Sequence, residues 1–185
     1  MDDPQKTYRV VHLTGTNGKT STARMIESLL RAHGLRTGLF TSPHLERFTE
    51  RIMIDGEPIA DAAVADAWDE IEPFAGIVDA ELDAAGDAPP LTFFELLTVL
   101  AFVACADAPP VDVLVLEVGM GGSWDSTNTA DGDVAVFTPD RSRPRGSPGR
   151  HDREDRGGQG RHHQGRRGRG VLPPDAGGGS GAAPG

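Results

Sequence analysis

Apolar residues along this chain fall into runs of two kinds, separated by glycine, proline and acidic stretches. Residues 9–14 (RVVHLT) form a short β-branched run that stops at Gly15, and they predict a buried strand. Residues 19–33 carry helical spacing instead. Ala23, Ile26 and Leu30 fall on one stripe and Met25 and Leu29 on the adjoining one, which predicts a helix with a single apolar face. Gly34 stands where a helix end favours a residue tolerant of positive φ, and residues 35–41 predict a second strand. Strand, glycine-rich turn, helix, strand is a βαβ unit, so the pattern implies a parallel sheet.

Further along, two short apolar runs flank Asp55-Gly56 within residues 51–59, a hairpin signal. Asp61 is placed to cap a helix whose Val64, Trp68 and Ile71 share a face, and Pro73 should close it. Residues 76–90, rich in Ala, Asp, Gly and Pro, read as a loop. Thr92 with Glu95 three positions on makes a capping box ahead of the run 96–106, which is apolar nearly all round and should be buried. Residues 111–118 (VDVLVLEV) have the near-continuous apolar character of a central parallel strand, and 133–138 repeat it more briefly.

Composition divides the chain. Up to Asp140 there are 8 Lys/Arg against 24 Asp/Glu; from Arg141 to Gly185 there are 10 Arg against 4 acids, 13 of the 24 glycines and no aromatic residue. The expectation is an α/β domain over residues 1–140 and a disordered Arg/Gly/Pro-rich tail over 141–185 that cannot bury a core. An overall charge of −10 argues against a nucleic-acid partner. The single cysteine, Cys105, rules out an internal disulfide and fits a reducing compartment. From the polar start no signal peptide is expected, and the longest apolar run is shorter than the roughly 20 residues a membrane span needs. A cytoplasmic monomer is expected.

The residues that carry chemistry lie at the first strand–helix junction. Gly15, Thr16, Asn17, Gly18, Lys19, Thr20 and Ser21 stand where backbone N–H groups and a helix dipole can hold a phosphate. The two glycines let the backbone approach the anion, Lys19 brings a point charge to its terminal oxygens, and Thr20 or Ser21 offers a hydroxyl to Mg²⁺. Leu13 occupies the place of the first glycine of the G-x-x-x-x-G-K-[ST] loop, so the match is partial. Glu117 ends an apolar strand before Gly119 and Gly121-Gly122, which would set it at the sheet's carboxyl edge as a Mg²⁺ ligand.

These segments also carry a resemblance. Residues 15–21 (GTNGKTS), 41–45 (TSPHL), 50–52 (ERI), 91–95 (LTFFE) and 116–128 (LEVGMGGSWDSTN) occur in the order and at the spacing of a known family. Together they resemble the amino-terminal ATP-binding domain of the dihydrofolate synthase/folylpolyglutamate synthase family, relatives of the Mur ligases, over residues 8–139. The resemblance implies a P-loop fold and ATP-dependent joining of L-glutamate to dihydropteroate or to a folate's glutamyl tail through an acyl phosphate. It implies ATP and Mg²⁺ as cofactors and Lys19 and Glu117 as the catalytic pair. Asn17–Ser21 would hold the triphosphate, and Ser42 and Glu117, with Thr20, the metal. Thr92, Phe93, Phe94, Glu95, Trp124, Asp125 and Ser126 would meet the pterin-bearing substrate, under a loop spanning 42–51. Two positions depart from the family pattern: Thr20 stands where many folate-adding members have glycine, and Ser123 where many have arginine.

For the remaining residues the readings are plainer. Phe93, Phe94 and Trp124 either stack on a pterin or belong to the core. His12 in a strand is structural, His44 lies in a loop open to function, and Cys105 is a small hydrophobe. The similarity stops after Thr138-Pro139, where the family continues with an aspartate–histidine pair and a K-A-G-I-I-K segment bearing a carbamylated lysine. Written as degenerate codons and read one base later, residues 140–143 permit I-D-H and residues 152–165 permit I-E-K-I-A-x-x-K-A-G-I-I-K. Residues 141–185 therefore read as out-of-frame translation, against the alternative of an Arg/Gly-rich RNA-binding tail. A chain ending this way should be inactive as a ligase; the alternatives are a fragment of a Mur-type cell-wall peptide ligase and a non-catalytic ATP-binding remnant.

Overall fold

The structure, a computed structural model, describes residues 3–86 and 89–139. The expectations for the tail, 141–185, lie outside the described residues. Six strands form one sheet: β1 (Arg9–Thr14), β2 (Thr37–Phe40), β3 (Ile52–Ile54), β4 (Glu57–Pro58), β5 (Val113–Glu117) and β6 (Val134–Phe137). Their order is β4-β3-β2-β5-β1-β6. β5 lies parallel between β2 and β1, β6 runs parallel on the far side of β1, and β3 and β4 add an antiparallel hairpin edge. The predicted α/β class with a mostly parallel sheet is what is found. Asp55 and Gly56, with φ of 51° and 84°, make the hairpin turn that their sequence demanded.

Strand alternation separates two apolar layers. Leu13, Leu39 and Val115 face α1 (Lys19–Ala32), meeting Ala23, Ile26 and Leu30. The opposite set, including Val10, Phe40, Leu114 and Leu116, packs against α2 (Asp61–Ala85) and α3 (Phe93–Ala106). Helices on both faces explain why β5 is apolar at nearly every position. Burying each of these large side chains contributes about 1.5–3 kcal/mol. Cys105 sits fully inside this layer, where burial pushes its thiol up to about 12; it is a packing residue.

Three sequence expectations need correction. Only the Ala23–Ile26–Leu30 stripe of α1 faces the sheet; Met25 and Leu29 lie on the solvent side. Glu27 takes the inward position beside the stripe, held by Arg31 at 2.9 Å and the Thr37 hydroxyl at 2.7 Å. Asp61 is the first residue of α2, with Ala60 at the cap position, and its carboxylate pairs with Arg47 at 2.8 Å. Finally, α2 passes through Pro73 and Gly76 and runs to Ala85, so most of the expected loop is helix. Pro73 is exposed, leaving water free to satisfy the carbonyl it cannot serve, and the Ala-, Glu- and Leu-bearing stretch beyond it propagates the helix to Gly86 at φ 80°. α1 ends as the sequence suggests: Gly34 at φ 85° lets its N–H reach Arg31 and that of Leu35 reach Leu30.

Candidate functional site

The parallel register brings the chemistry together. Leu13 of β1 pairs with Glu117 of β5, and Phe40 of β2 pairs with Leu116, so the carboxyl ends of three strands meet at one edge. β1 leaves that edge through residues 15–18. Gly15 has φ 138°, and a Cβ there would fall 2.3 Å from Thr138 Oγ1 and 2.6 Å from the Thr138 carbonyl oxygen, so only glycine fits beside the end of β6. The Asn17 N–H donates to the Pro139 carbonyl at 3.2 Å, fixing the turn from outside. Gly18, at φ 77°, is the N-cap of α1. The first-turn N–H groups of an α-helix have no carbonyl partner within it, and with the helix dipole they favour an anion.

Glu117 projects toward the same helix. Only 2% of it is exposed, yet three groups address its carboxylate. The Thr20 hydroxyl donates at 2.9 and 3.1 Å, the Ser42 backbone N–H donates to it, and Lys19 Nζ stands 4.0 Å away. Burial pushes the carboxyl above its ordinary value, while Thr20, Lys19 and Ser42 pull the other way. Lys19, Thr20, Ser42 and Glu117 are thus one cluster, although nearly a hundred positions separate the first from the last.

Beside it lies a cleft of about 180 Å³, lined by Thr14, Gly15, Thr16 and Lys19 on one side and by the glycine loop Val118–Gly122 with Trp124 on the other. Trp124 is 73% exposed and lies across Gly122. The glycine loop is held from behind. Asp125 accepts the N–H groups of Met120 and Gly121 at 3.0 and 3.2 Å, and the Asn128 side chain donates to the Gly122 carbonyl at 2.8 Å. A ring in contact range also fixes Gly119, where a Cβ would fall 2.5 Å from Phe94.

The other substrate candidates are distributed unevenly. Thr92 and Glu95 hold one another at the start of α3: the Thr92 hydroxyl donates to Glu95 at 2.6 Å and the Glu95 N–H returns to Thr92 at 3.3 Å. Phe93 is exposed and carries the Arg51 guanidinium 5.7 Å from its ring centre; Arg51 Nε in turn donates to His44 Nδ1 at 2.8 Å. Phe94 turns inward against Phe40, with centroids 5.7 Å apart. Ser126 shares a 2.8 Å hydrogen bond with Thr98 of α3. Sequence reasoning passed over Thr127 and Asn128, which lie in the short helix Ser126–Thr129. The signal was the Asp-Ser-Thr-Asn run, since an aspartate that accepts from the backbone two residues on makes such a turn.

No group of three or more His, Cys, Asp or Glu side chains among the described residues could hold a metal alone. The single buried carboxylate of Glu117 beside the Thr20 hydroxyl fits Mg²⁺, which takes one or two carboxylates and completes its shell with water and phosphate oxygens.

A family model, the Mur ligase middle domain, matches residues 13–139. The chain belongs to the Mur ligase middle-domain family. A dihydrofolate synthase/folylpolyglutamate synthase of Mycobacterium tuberculosis is 50% identical over 141 residues, 75% of this chain and 29% of that protein. Among solved structures, the Mycobacterium tuberculosis folylpolyglutamate synthase complexed with ADP and AMPPCP is similar with a TM-score of 0.71 and 48% identity, over 78% of this chain and 33% of that one. The bifunctional enzyme of Yersinia pestis complexed with AMPPNP and a Mn ion gives 0.60 and 38%, over 73% and 30%. This Mur ligase middle domain therefore spans a third or less of these relatives' length.

Proposed function

We propose that this chain is the nucleotide-binding portion of an ATP-dependent ligase that joins L-glutamate to dihydropteroate or to a folate's glutamyl tail. The observation that carries the reading is the meeting of Lys19, Thr20 and Glu117 beside a glycine-walled cleft. The relatives' names and their complexes with ADP, AMPPCP and AMPPNP support it.

In this reading the first turn of α1 and residues 15–18 receive the polyphosphate, and Lys19 sets its ammonium against the terminal oxygens. Glu117 and Thr20, with Ser42, hold Mg²⁺, which neutralises phosphate charge when bound. Phosphoryl transfer asks mainly for positioning and charge neutralisation; Lys19 supplies positive charge, and Glu117, held by fixed donors, would position the Mg²⁺ that supplies the rest. Trp124 and Phe93 offer their exposed faces to the pterin-bearing substrate, with Thr92, Phe94, Glu95, Asp125 and Ser126 shaping the walls behind them.

ADP release with dihydropteroate and glutamate, set beside a UDP-muramoyl substrate, tests the reading, together with binding of AMPPNP and Mg²⁺ by calorimetry. Binding lost in Lys19→Ala, with any ADP release confined to dihydropteroate plus glutamate, is the expected result. Turnover on the muramoyl substrate would reassign the chain to cell-wall ligation, and a chain that binds no nucleotide would end the reading altogether.

A further inference from the structure

Val118 roots the glycine loop in the core, but beyond it Gly119, Gly121 and Gly122 carry no side chain and Met120 is exposed, yet this stretch forms half of the cleft. Its backbone is fixed at three points from the short helix Ser126–Thr129 and the residue before it. Asp125 takes the N–H groups of Met120 and Gly121, and Asn128 holds the Gly122 carbonyl. Besides the Ser126–Thr98 hydrogen bond, a buried polar chain reaching into the sheet fixes that helix. Thr127 is fully buried and donates its hydroxyl to Asp125 Oδ1 at 2.6 Å, and the Thr127 N–H reaches the same oxygen at 3.1 Å. His12, buried in the middle of β1, places Nε2 3.0 Å from the Thr127 hydroxyl oxygen.

The direction of this chain follows from its chemistry. A carboxylate can only accept, so the one hydroxyl proton of Thr127 is committed to Asp125. The Thr127 oxygen must then accept from His12, whose Nε2 therefore carries a proton. Strand alternation makes the arrangement possible. His12 and Leu13 point to opposite faces of β1, and Leu13 pairs with Glu117, whose side chain turns to the α1 face. One strand therefore supports the cleft from both sides: its end leads into the phosphate-facing turn, and its middle anchors the opposite wall.

We propose that His12 and Thr127 are positioning residues that fix the glycine wall of the cleft, acting through Asp125. The proposal deepens the nucleotide reading above and rests on it for the ligand, but not for the order of the loop. Neither side chain touches the cleft; each acts through the carboxylate that holds Met120 and Gly121.

The test uses the full 185-residue chain. In the wild type, ¹⁵N NMR of His12 should show the Nε2–H tautomer with an exchange-protected ring proton; the opposite tautomer would overturn the proposal without any variant. Thr127→Val keeps the side-chain shape and removes the hydroxyl. It should speed amide exchange at Met120 and Gly121 about three- to tenfold, as expected for one lost hydrogen bond, while β5 amides stay protected. Affinity for AMPPNP with Mg²⁺ should fall by a similar factor, and Thr127→Ser should restore both. Should Thr127→Val fail to fold, His12→Phe, which removes the ring N–H facing the Thr127 hydroxyl, provides the same exchange readout. Unchanged exchange at Met120 and Gly121 in a folded variant overturns the proposal. A wild type that binds no AMPPNP but shows the variant-dependent exchange sinks the nucleotide reading and leaves the loop anchorage supported, so the two failures are distinct.

Discussion

The Thr20 hydroxyl donates to both carboxylate oxygens of Glu117, at 2.9 and 3.1 Å. This single contact ties the helix after the glycine turn to the tip of the central strand. It also holds a carboxylate that burial would otherwise drive toward its neutral form.

Glu117→Gln exposes that tension. Burial raises the folded-state pKa above the ordinary 4.5, so between the two values the folded chain binds more protons than the unfolded one. The stability owed to this group is complete at pH below the unfolded value and is lost as pH rises through the folded one. Glutamine cannot ionise. The stability of Glu117→Gln relative to wild type should therefore increase with pH across that window and level off above it, as urea unfolding at a series of pH values would show. Mg²⁺-dependent nucleotide binding should be lost in the same variant. A stability difference that does not change with pH would mean the carboxylate is not strained by burial.

Gly15 and Gly18 both lie at positive φ, but their surroundings differ. Alanine at position 15 meets Thr138 at 2.3 Å, whereas nothing lies within 4 Å of a Cβ at position 18. Gly18→Ala should cost about 1–2 kcal/mol from backbone conformation alone. Gly15→Ala adds a clash with the end of β6 and should cost more, with loss of the Asn17–Pro139 bond and of nucleotide binding. Urea unfolding of the two variants gives the ranking, and equal costs would show that the turn does not press on β6.

Much of this was legible in the sequence because the residues concerned obey local rules. The βαβ unit, the Asp55-Gly56 hairpin, the Thr92–Glu95 cap and the central strand at 113–117 all follow from periodicity and turn chemistry. The meeting of Lys19 with Glu117 followed from where a strand-ending acid must lie in a parallel sheet. What could not be read depended on tertiary context. Met25 and Leu29 look like core, but the sheet reaches only the Ala23–Ile26–Leu30 stripe. Pro73 breaks a local rule that an exposed helix surface tolerates. The tie between His12 and Thr127 spans 115 positions and leaves no periodic trace.

Pro73 sits in the interior of α2 on an exposed surface, with the helix continuing for more than ten residues beyond it. It removes one backbone hydrogen bond and crowds the preceding turn, a cost of about 3 kcal/mol in a regular helix. At this exposed position water can serve the freed carbonyl, so Pro73→Ala should stabilise the chain by roughly 1–2 kcal/mol. Thermal unfolding would show it as a rise of a few degrees. A drop in stability would mean that the proline sets an angle on which the packing of Trp68 and Ile71 depends.

The change of character at residue 140 invites a genetic test. Up to that point the chain is acidic and matches the Mur ligase middle domain as far as residue 139. Beyond it arginine and glycine dominate and large apolar residues nearly vanish. Shifting the frame by one base turns His162, His163 and Gln164, with their neighbours, into codons compatible with K-A-G-I-I-K, the segment that the family resemblance implies should follow. A genuine Arg/Gly-rich tail has no reason to encode that segment at the right distance from Thr138. Sequencing the gene across codons 138–142 should reveal the offset, and the corrected frame should read on through I-D-H and K-A-G-I-I-K. A clean read that still encodes this tail would refute the frameshift, and binding of the intact chain to RNA would then be the measurement to make.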